Sequence, residues 1–101
     1  MENEVKNGRY KDKDGTKEWW LEGKRHREGG PAYEWSDGHI EWFKKGKYHR
    51  EDGPAVEYAN GDREWWINGV EYTEELFHKY QLNEKLQQTL EEKPSVKKVK
   101  I

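Results

Sequence analysis

The sequence contains no cysteine, so no disulfide bond can hold the fold together, and a reducing compartment is its natural setting. It has no apolar run of membrane-spanning length, and the N-terminus Met1-Glu2-Asn3-Glu4 lacks signal-peptide character. Serine occurs only as Ser36, beside a predicted turn, and Ser95, in the tail, which disfavours a serine nucleophile. We therefore expect a soluble protein of the cytoplasm that does not associate with membranes.

Aliphatic residues and a dominant charge are also lacking. Hydrophobic residues make up 31% of the chain and charged residues 40%, a balance that by itself favours disorder. The net charge is −2 with both signs spread along the chain, so there is no polybasic footprint for long nucleic acid. The chain has instead six Trp, six Tyr and two Phe, and each large ring buries about 150–250 Å². The sequence therefore predicts one small domain ordered by aromatic packing.

One stretch of sequence recurs at a spacing of 23 residues. Residues 41–55 align with residues 18–32, and their first part aligns again with residues 64–72. A period of this length indicates repeated supersecondary units, each too small to bury its apolar face alone. Two sets of turn dipeptides divide the units into hairpins. They are Asp14-Gly15, Asp37-Gly38 and Asn60-Gly61, and Glu22-Gly23, Lys45-Gly46 and Asn68-Gly69.

The predicted fold is mainly β with one C-terminal helix: an antiparallel β-meander repeat array of about three units, capped by an α-helix. We predict a frayed N-terminus over 1–8, the meander over 9–73, the helix over 74–93 and a basic tail over 94–101. Thr73 is a favourable N-cap, and the acidic residues after it suit the positive end of the helix dipole. Pro94 ends the helix.

If both kinds of turn are two-residue loops, residues equidistant from a turn lie opposite each other and the two sheet faces follow. The face interpreted as buried would carry Tyr10–Trp19–His26, Tyr33–Trp42–His49 and Val56–Trp65–Tyr72. The outer face would carry Lys11–Glu18–Arg27, Glu34–Glu41–Arg50 and Glu57–Glu64–Thr73, together with Arg9–Trp20–Arg25 and Ala32–Phe43–Tyr48. Directly opposed glutamates destabilise a sheet unless a cation lies beside them. Arg50 can serve the pair Glu34/Glu41, but no cation lies in the row of Glu57 and Glu64.

Three groups of residues are candidate binding surfaces. The outer acidic rows, with two aromatic anchors, could dock a protein partner or could be a solvated sheet face. Their members are Glu34, Glu41, Phe43, Glu57, Glu64 and Trp66. The cluster Arg9, Trp20 and Arg25 could be a surface cation–π sandwich or a platform for a nucleotide. Leu82, Leu86 and Leu90 recur at helical spacing and could cap the sheet or pair with the same helix of a second copy.

The histidines suggest no catalytic or metal centre. His26-Arg27-Glu28 and His49-Arg50-Glu51 bring acid, base and cation together, but their repetition at 23 residues favours a structural role over acid–base chemistry. His26, His39, His49 and His78 lie in different elements at spacings that match no zinc pattern. We therefore predict no metal, no cofactor and no enzymatic activity.

The runs His26-Arg27-Glu28-Gly29-Gly30-Pro31-Ala32 and His49-Arg50-Glu51-Asp52-Gly53-Pro54-Ala55 resemble a repeat found in small proteins of tailed bacteriophages and giant viruses, similar to variant MORN repeats. The resemblance covers about residues 7–80. The sequence departs from the repeat at Gly29, where Asp is usual, and at Tyr72-Thr73, which replace His-Arg.

The resemblance implies an antiparallel meander, a viral origin and no enzymatic activity. By analogy with small phage proteins, it implies a binding protein that inhibits a bacterial immune effector by direct contact in the cytoplasm of the infected cell. Two alternatives remain open at this point. One is a sponge that sequesters a nucleotide immune signal, and the other is a structural virion module.

Overall fold

The computed structural model describes residues 5–92, with side chains described to residue 90. Within these residues an antiparallel sheet precedes one helix, which confirms the predicted mainly β class with a C-terminal helix. The elements are β1 (Gly8–Lys11), β2 (Lys17–Leu21), β3 (Lys24–Arg25), β4 (Tyr33–Glu34), β5 (Ile40–Glu41), β6 (Phe43–Lys44), β7 (Lys47–Tyr48), β8 (Val56–Glu57), β9 (Arg63–Ile67), β10 (Val70–Tyr72) and α1 (Glu74–Glu92). The predicted basic tail over 94–101 lies outside the described residues.

The main sheet follows the chain with short connections. Its strand order is β1-β2-β4-β5-β8-β9-β10, with β3 paired to β2 beside β4, and β6 and β7 form a two-stranded ribbon. The N-terminal segment is tied to the first turn of this sheet, since Lys6 O accepts from Gly23 N–H at 2.9 Å and Asn7 Oδ1 accepts from Glu22 N–H at 2.7 Å. These two residues thus differ from the predicted frayed segment 1–8.

One set of turns has the predicted two-residue form. Glu22, Lys45 and Asn68 have φ values of 50°, 52° and 49°, and the glycine that follows each also has a positive φ. Positive φ at both central residues defines the type I′ turn that matches the twist of paired strands. Leu21 therefore pairs with Lys24, Lys44 with Lys47, and Ile67 with Val70. The predicted register is confirmed across these three hairpins.

The other set of turns differs from the prediction by one residue. The hairpins close with Asp12 N–H to Thr16 O, Trp35 N–H to His39 O and Tyr58 N–H to Asp62 O, at 3.0, 2.8 and 2.8 Å. Each loop therefore has three residues, 13–15, 36–38 or 59–61, and only its final glycine has a positive φ. This is the geometry of a type I turn followed by a left-handed residue. The register predicted from two-residue loops is wrong here.

A shift of one residue moves a whole strand to the other face. Tyr10 pairs with Glu18, Tyr33 with Glu41, and Val56 with Glu64, so the predicted rows Tyr10–Trp19, Tyr33–Trp42 and Val56–Trp65 are wrong. We call the side that carries Glu18, Glu41 and Glu64 the aromatic face. Its rings are Tyr10, Trp20, Tyr33, Trp35, Phe43, Tyr48, Tyr58 and Trp66. We call the other side, which carries Trp19, Trp42 and Trp65, the tryptophan face.

The helix begins at Glu74 and packs at the end of the sheet. Thr73 Oγ1 accepts from Leu76 N–H at 3.1 Å, which makes Thr73 the predicted N-cap. Phe77 is 1% exposed, and the ring centroids of Tyr72 and Tyr80 lie 5.9 Å apart. Tyr72 lies opposite Trp65, so the first turns of the helix cover the tryptophan face beside β9 and β10. The other buried apolar residues are Ala32, Ala55, Val56 and Ile67.

Candidate functional site

The two His-Arg-Glu segments join successive hairpins. His26 Nδ1 accepts the backbone N–H of Lys45 at 2.9 Å, and His49 Nδ1 accepts that of Asn68 at 3.0 Å. With Nδ1 as acceptor, a neutral ring carries its proton on Nε2, which lies 3.1 Å from the carboxylate two residues later in both segments. Each histidine thus holds the left-handed turn of the next hairpin. This arrangement favours a structural role for the histidines over acid–base chemistry.

The two arginines of these segments lie flat on tryptophans. The guanidinium carbons of Arg27 and Arg50 are each 3.9 Å from the ring centroids of Trp19 and Trp42. This is a close cation–π contact. Arg50 lies on the tryptophan face, so the predicted neighbourhood of Arg50 and Glu41 is wrong.

Two of the predicted partner-binding glutamates lie on the tryptophan face with these arginines. Glu34 lies 3.3 Å from Arg27, and Glu57 lies 3.6 Å from Arg50. The predicted outer acidic rows are therefore divided between the two sides of the sheet. The apparent conflict between Glu57 and Glu64 disappears, because these two carboxylates do not share a face.

Glycine before proline makes room for each arginine. A Cβ atom on Gly30 or Gly53 would lie 2.9 Å from the guanidinium carbon of Arg27 or Arg50. Each arginine also donates from Nη1 to the carbonyl of the following proline, Pro31 or Pro54, at 3.1 Å. The repeated Gly-Pro dipeptide is a sequence signal for this packing, although the predictions from the sequence did not include it.

The carboxylates of the aromatic face are held by their neighbours. Glu18 and Glu64 each accept from the indole N–H of the tryptophan two residues later, Trp20 or Trp66, at 2.8 Å. The equivalent residue after Glu41 is a phenylalanine. Glu41 lies instead 2.7 Å from Nε2 of His39, and the two residues are 8% and 4% exposed. The prediction that Glu41 lies on an exposed surface is wrong.

Phe43 and Trp66 do share a face with Glu64, as predicted. Tyr48 lies between them, with ring centroids 4.7 Å from Phe43 and 5.0 Å from Trp66. Burial raises the pKa of the Tyr48 hydroxyl, and the charges of Glu41 and Glu64 raise it further. The centre of the aromatic face is thus a half-buried row of rings beside the carboxyl groups of Glu41 and Glu64.

The predicted nucleotide platform is only partly assembled. The guanidinium of Arg25 lies 5.2 Å from the Trp20 ring, but Arg9 lies on the opposite face, 5.9 Å from Trp19. The inclusion of Arg9 is wrong, and Lys6 takes its place with Nζ 4.7 Å from the Trp20 ring. A shallow hollow of about 300 Å³ adjoins these side chains. It is lined by Trp20, Gly23, Lys24, Arg25, Phe43 and Gly46.

Two exposed rings lie on opposite sides of His39 at the hairpin ends. Trp35 and Tyr58 are the residues that precede their three-residue loops, and they are 37% and 39% exposed. The imidazole of His39 lies between them, stacked on Trp35 at 3.9 Å and tilted towards Tyr58 at 5.0 Å. The Tyr58 hydroxyl donates to Glu64 at 2.6 Å, and this bond raises its pKa to about 12. The 23-residue spacing of Trp35 and Tyr58 is the sequence signal that could have identified these two rings.

The predicted leucine row lies on the outer part of the helix. Leu82, Leu86 and Leu90 are 57%, 52% and 62% exposed. Pairing of this row with a second copy stays a prediction.

Neither the described residues nor the comparisons with known proteins show an established site. No three His, Asp or Glu side chains within this part of the chain come together as a metal-binding group. No helix among residues 5–92 is long and apolar enough to cross a membrane. No family model matches the chain, and no curated protein or solved structure is significantly similar to it.

Proposed function

We propose that this chain is a non-enzymatic binding protein that contacts another protein through its aromatic face. The observation that carries the proposal is the row of rings on one side of a single-layered sheet, with Tyr10, Trp35 and Tyr58 each more than a third exposed. Aromatic side chains are the residues that most often dominate protein-binding energy. A surface of this kind on a monomer commonly marks an interaction site.

We also propose that the sheet is a repeat array with a 23-residue period. Support comes from backbone hydrogen bonds that recur at that step. Trp19 N–H bonds Ala32 O and Trp42 N–H bonds Ala55 O, while Gly46 N–H bonds Arg25 O and Gly69 N–H bonds Tyr48 O. In this interpretation, equivalent rings of successive units lie in rows, which gives a partner a continuous surface.

The resemblance to small phage proteins suggests the class of partner. In the proposed role, the aromatic face binds a bacterial immune effector and inhibits it by direct contact. Of the six residues predicted from the sequence, Phe43, Trp66 and Glu64 stay in the proposed surface. Glu41 is buried beneath this surface. Glu34 and Glu57 lie on the tryptophan face.

The experiment is affinity purification from a lysate of bacteria that carry defined immune systems, paired with a phage-plating assay in the same strains. We expect one stoichiometric protein to be recovered, and plating to be restored only in the strain whose effector is recovered. The double variant Trp35→Ala/Tyr58→Ala should lose both effects. The matched control Leu76→Ala, also at an exposed apolar position but on the helix, should keep both. Recovery of no protein, or equal recovery by both variants, would refute the proposal.

A second candidate function is the sequestration of a nucleotide at Trp20. It is favoured by the two cations beside that ring, Lys6 and Arg25, and by the buried Nε of Arg25, which has no partner among the described residues. A base could stack in the adjoining hollow while its phosphate meets the cations. Calorimetry with a panel of cyclic nucleotides and ADP-ribose separates the two candidates, since a sponge binds its ligand tightly with no protein present.

A further inference from the structure

We infer that Arg27 binds the carboxylate of an aspartate or glutamate side chain from a protein partner. The site lies on the tryptophan face, so the inference goes beyond the proposed function of the aromatic face and does not depend on it. It rests on a comparison of Arg27 with Arg50, the equivalent residue 23 positions later in the chain.

The guanidinium groups of the two arginines are held alike. Each guanidinium carbon lies 3.9 Å from the centroid of its tryptophan ring, and each Nη1 donates to a proline carbonyl at 3.1 Å. Nε of Arg27 lies 3.0 Å from the position of a Cβ on Gly30, and Nε of Arg50 lies 3.2 Å from that of a Cβ on Gly53. Because these three contacts match, the edge formed by Nε and Nη2 has the same direction in both copies.

Among the described residues, Arg50 has a carboxylate on that edge and Arg27 has none. Nε of Arg50 donates to Asp52 Oδ1 at 2.7 Å. Gly29 stands at the position equivalent to Asp52, and the hydrogen bonds of the Arg27 side chain within residues 5–90 are both made by Nη1. The Arg27 side chain is 32% exposed, against 20% for Arg50. Arg27 therefore presents to solvent the donor edge that Arg50 uses for Asp52.

The surroundings of Arg27 also contain one carboxylate fewer. Arg50 has Asp52 at 2.7 Å and Glu57 at 3.6 Å, whereas the ion-pair partner of Arg27 within residues 5–90 is Glu34, at 3.3 Å. One further negative charge on the Nε edge would give Arg27 the same ion pairs as its equivalent. The site thus has charge complementarity to a single carboxylate.

There is room beside this edge for a side chain from another molecule. A Cβ on Gly29 would meet no atom within 4 Å. A hollow of about 410 Å³ adjoins the same place, and Arg27, Gly29, Trp42 and Lys44 are among the residues that line it. An acidic side chain that enters this hollow can reach the donor edge from outside, as Asp52 reaches the edge of its own arginine from within the chain.

A carboxylate fits this edge better than other acceptors. It is planar and can accept two parallel hydrogen bonds from the Nε and Nη2 of one arginine. A phosphate monoester carries a charge of about −1.5 to −2 and would meet the carboxylates of Glu28 and Glu51, which line the same hollow. A neutral amide offers one acceptor oxygen and no charge.

The test is a titration with a short peptide of alternating Gly and Asp, compared with a matched peptide of alternating Gly and Asn. Binding is followed by the NMR signals of the arginine Nε–H groups. We expect the Arg27 signal to respond and the Arg50 signal to stay unchanged, because Asp52 already occupies the second edge. The aspartate peptide should bind about two- to fivefold more tightly than the asparagine peptide, as for an exposed ion pair, and added salt should remove the difference.

Two variants exchange the properties of the two copies. In Asp52→Gly, the Arg50 signal should respond to the aspartate peptide as Arg27 does in the wild type. In Gly29→Asp, the Arg27 signal should shift before any peptide is added and should then stop responding. Aspartate suits this position because it enters the left-handed region more readily than most residues, and Gly29 has a φ of 80°.

Three results would overturn the inference. They are equal affinity for the two peptides, an equal response of Arg27 and Arg50 in the wild type, and an Arg50 signal that does not respond in a folded Asp52→Gly protein. None of these results bears on the proposed function, because the partner of the aromatic face is tested separately with Trp35→Ala/Tyr58→Ala.

Discussion

Gly53→Ala tests the packing of Arg50 on Trp42. The new Cβ would lie 2.9 Å from the guanidinium carbon, well inside the contact distance of about 3.5–4.0 Å for carbon atoms. The φ of Gly53 is outside the left-handed region, so the substitution causes no backbone strain there. The arginine must therefore move away from the ring and from the Pro54 carbonyl.

The expected magnitude follows from the contacts that this movement breaks. A cation–π contact contributes about 0.5–1 kcal/mol where exposed, and a hydrogen bond from a charged group about 1.5–3 kcal/mol. The Arg50 side chain is 20% exposed. Water can therefore replace part of the lost hydrogen bond, and the hydrogen-bond loss is smaller than this range. Replacing glycine by alanine at a permitted φ lowers the conformational entropy of the unfolded chain, which stabilises the folded protein by about 0.4–1 kcal/mol. The net loss should be about 1–2 kcal/mol, and the melting temperature should fall by roughly 5–15 °C.

The assay is a double-mutant cycle in urea, followed by tryptophan fluorescence and circular dichroism. In an Arg50→Ala background there is no guanidinium to displace, so Gly53→Ala should stabilise by about 0.4–1 kcal/mol. The sign of the effect thus reverses between the two backgrounds. Gly30→Ala with Arg27→Ala is an independent repeat of the cycle at the equivalent positions. An equal loss with and without the arginine would refute the reasoning.

Three other perturbations follow from the structure. The Tyr58 hydroxyl has a pKa raised to about 12 by its hydrogen bond to Glu64, so its stabilising contribution is complete below about pH 10 and is lost as pH rises through 12. The free energy of unfolding of the wild type should therefore fall more between about pH 10 and pH 12 than that of Tyr58→Phe. His49→Phe should cost about 1 kcal/mol and speed hydrogen exchange at the Asn68 amide, while the matching amide held by the other histidine stays protected. Deleting Ala59 leaves Asn-Gly as a two-residue loop with the same strand pairing, so the variant should fold, whereas deleting one residue within β9 should not.

The sequence predicts the element types, the helix and one set of turns because these depend on local chemistry. Thr73 followed by acidic residues and a helical apolar spacing is enough to place the start of α1. Glu22-Gly23 and its equivalents are confirmed as two-residue loops, since both residues of each dipeptide have a positive φ. These features need no knowledge of which side of the sheet is covered.

The sheet faces are not predicted, because Asp-Gly and Asn-Gly fit two loop lengths. In a two-residue loop both residues need a positive φ, and in a three-residue loop only the glycine does. Asp37 adopts the second form, and its side chain accepts the N–H of His39 inside the loop. A difference of one residue decides whether Glu41 faces solvent or the interior.

The predicted charge conflict is the sequence signal that could have selected the correct register. Two-residue loops place Glu57 opposite Glu64 without a cation, which costs energy in any sheet. Three-residue loops separate them: Glu57 lies near Arg50, and Glu64 accepts from Trp66. The same shift carries Trp35 and Tyr58 to the face of Glu41 and Glu64, so the residues of the aromatic face depend on the loop length as directly as the burial of Glu41 does. Opposed glutamates without a cation therefore distinguish the two loop lengths from the sequence alone.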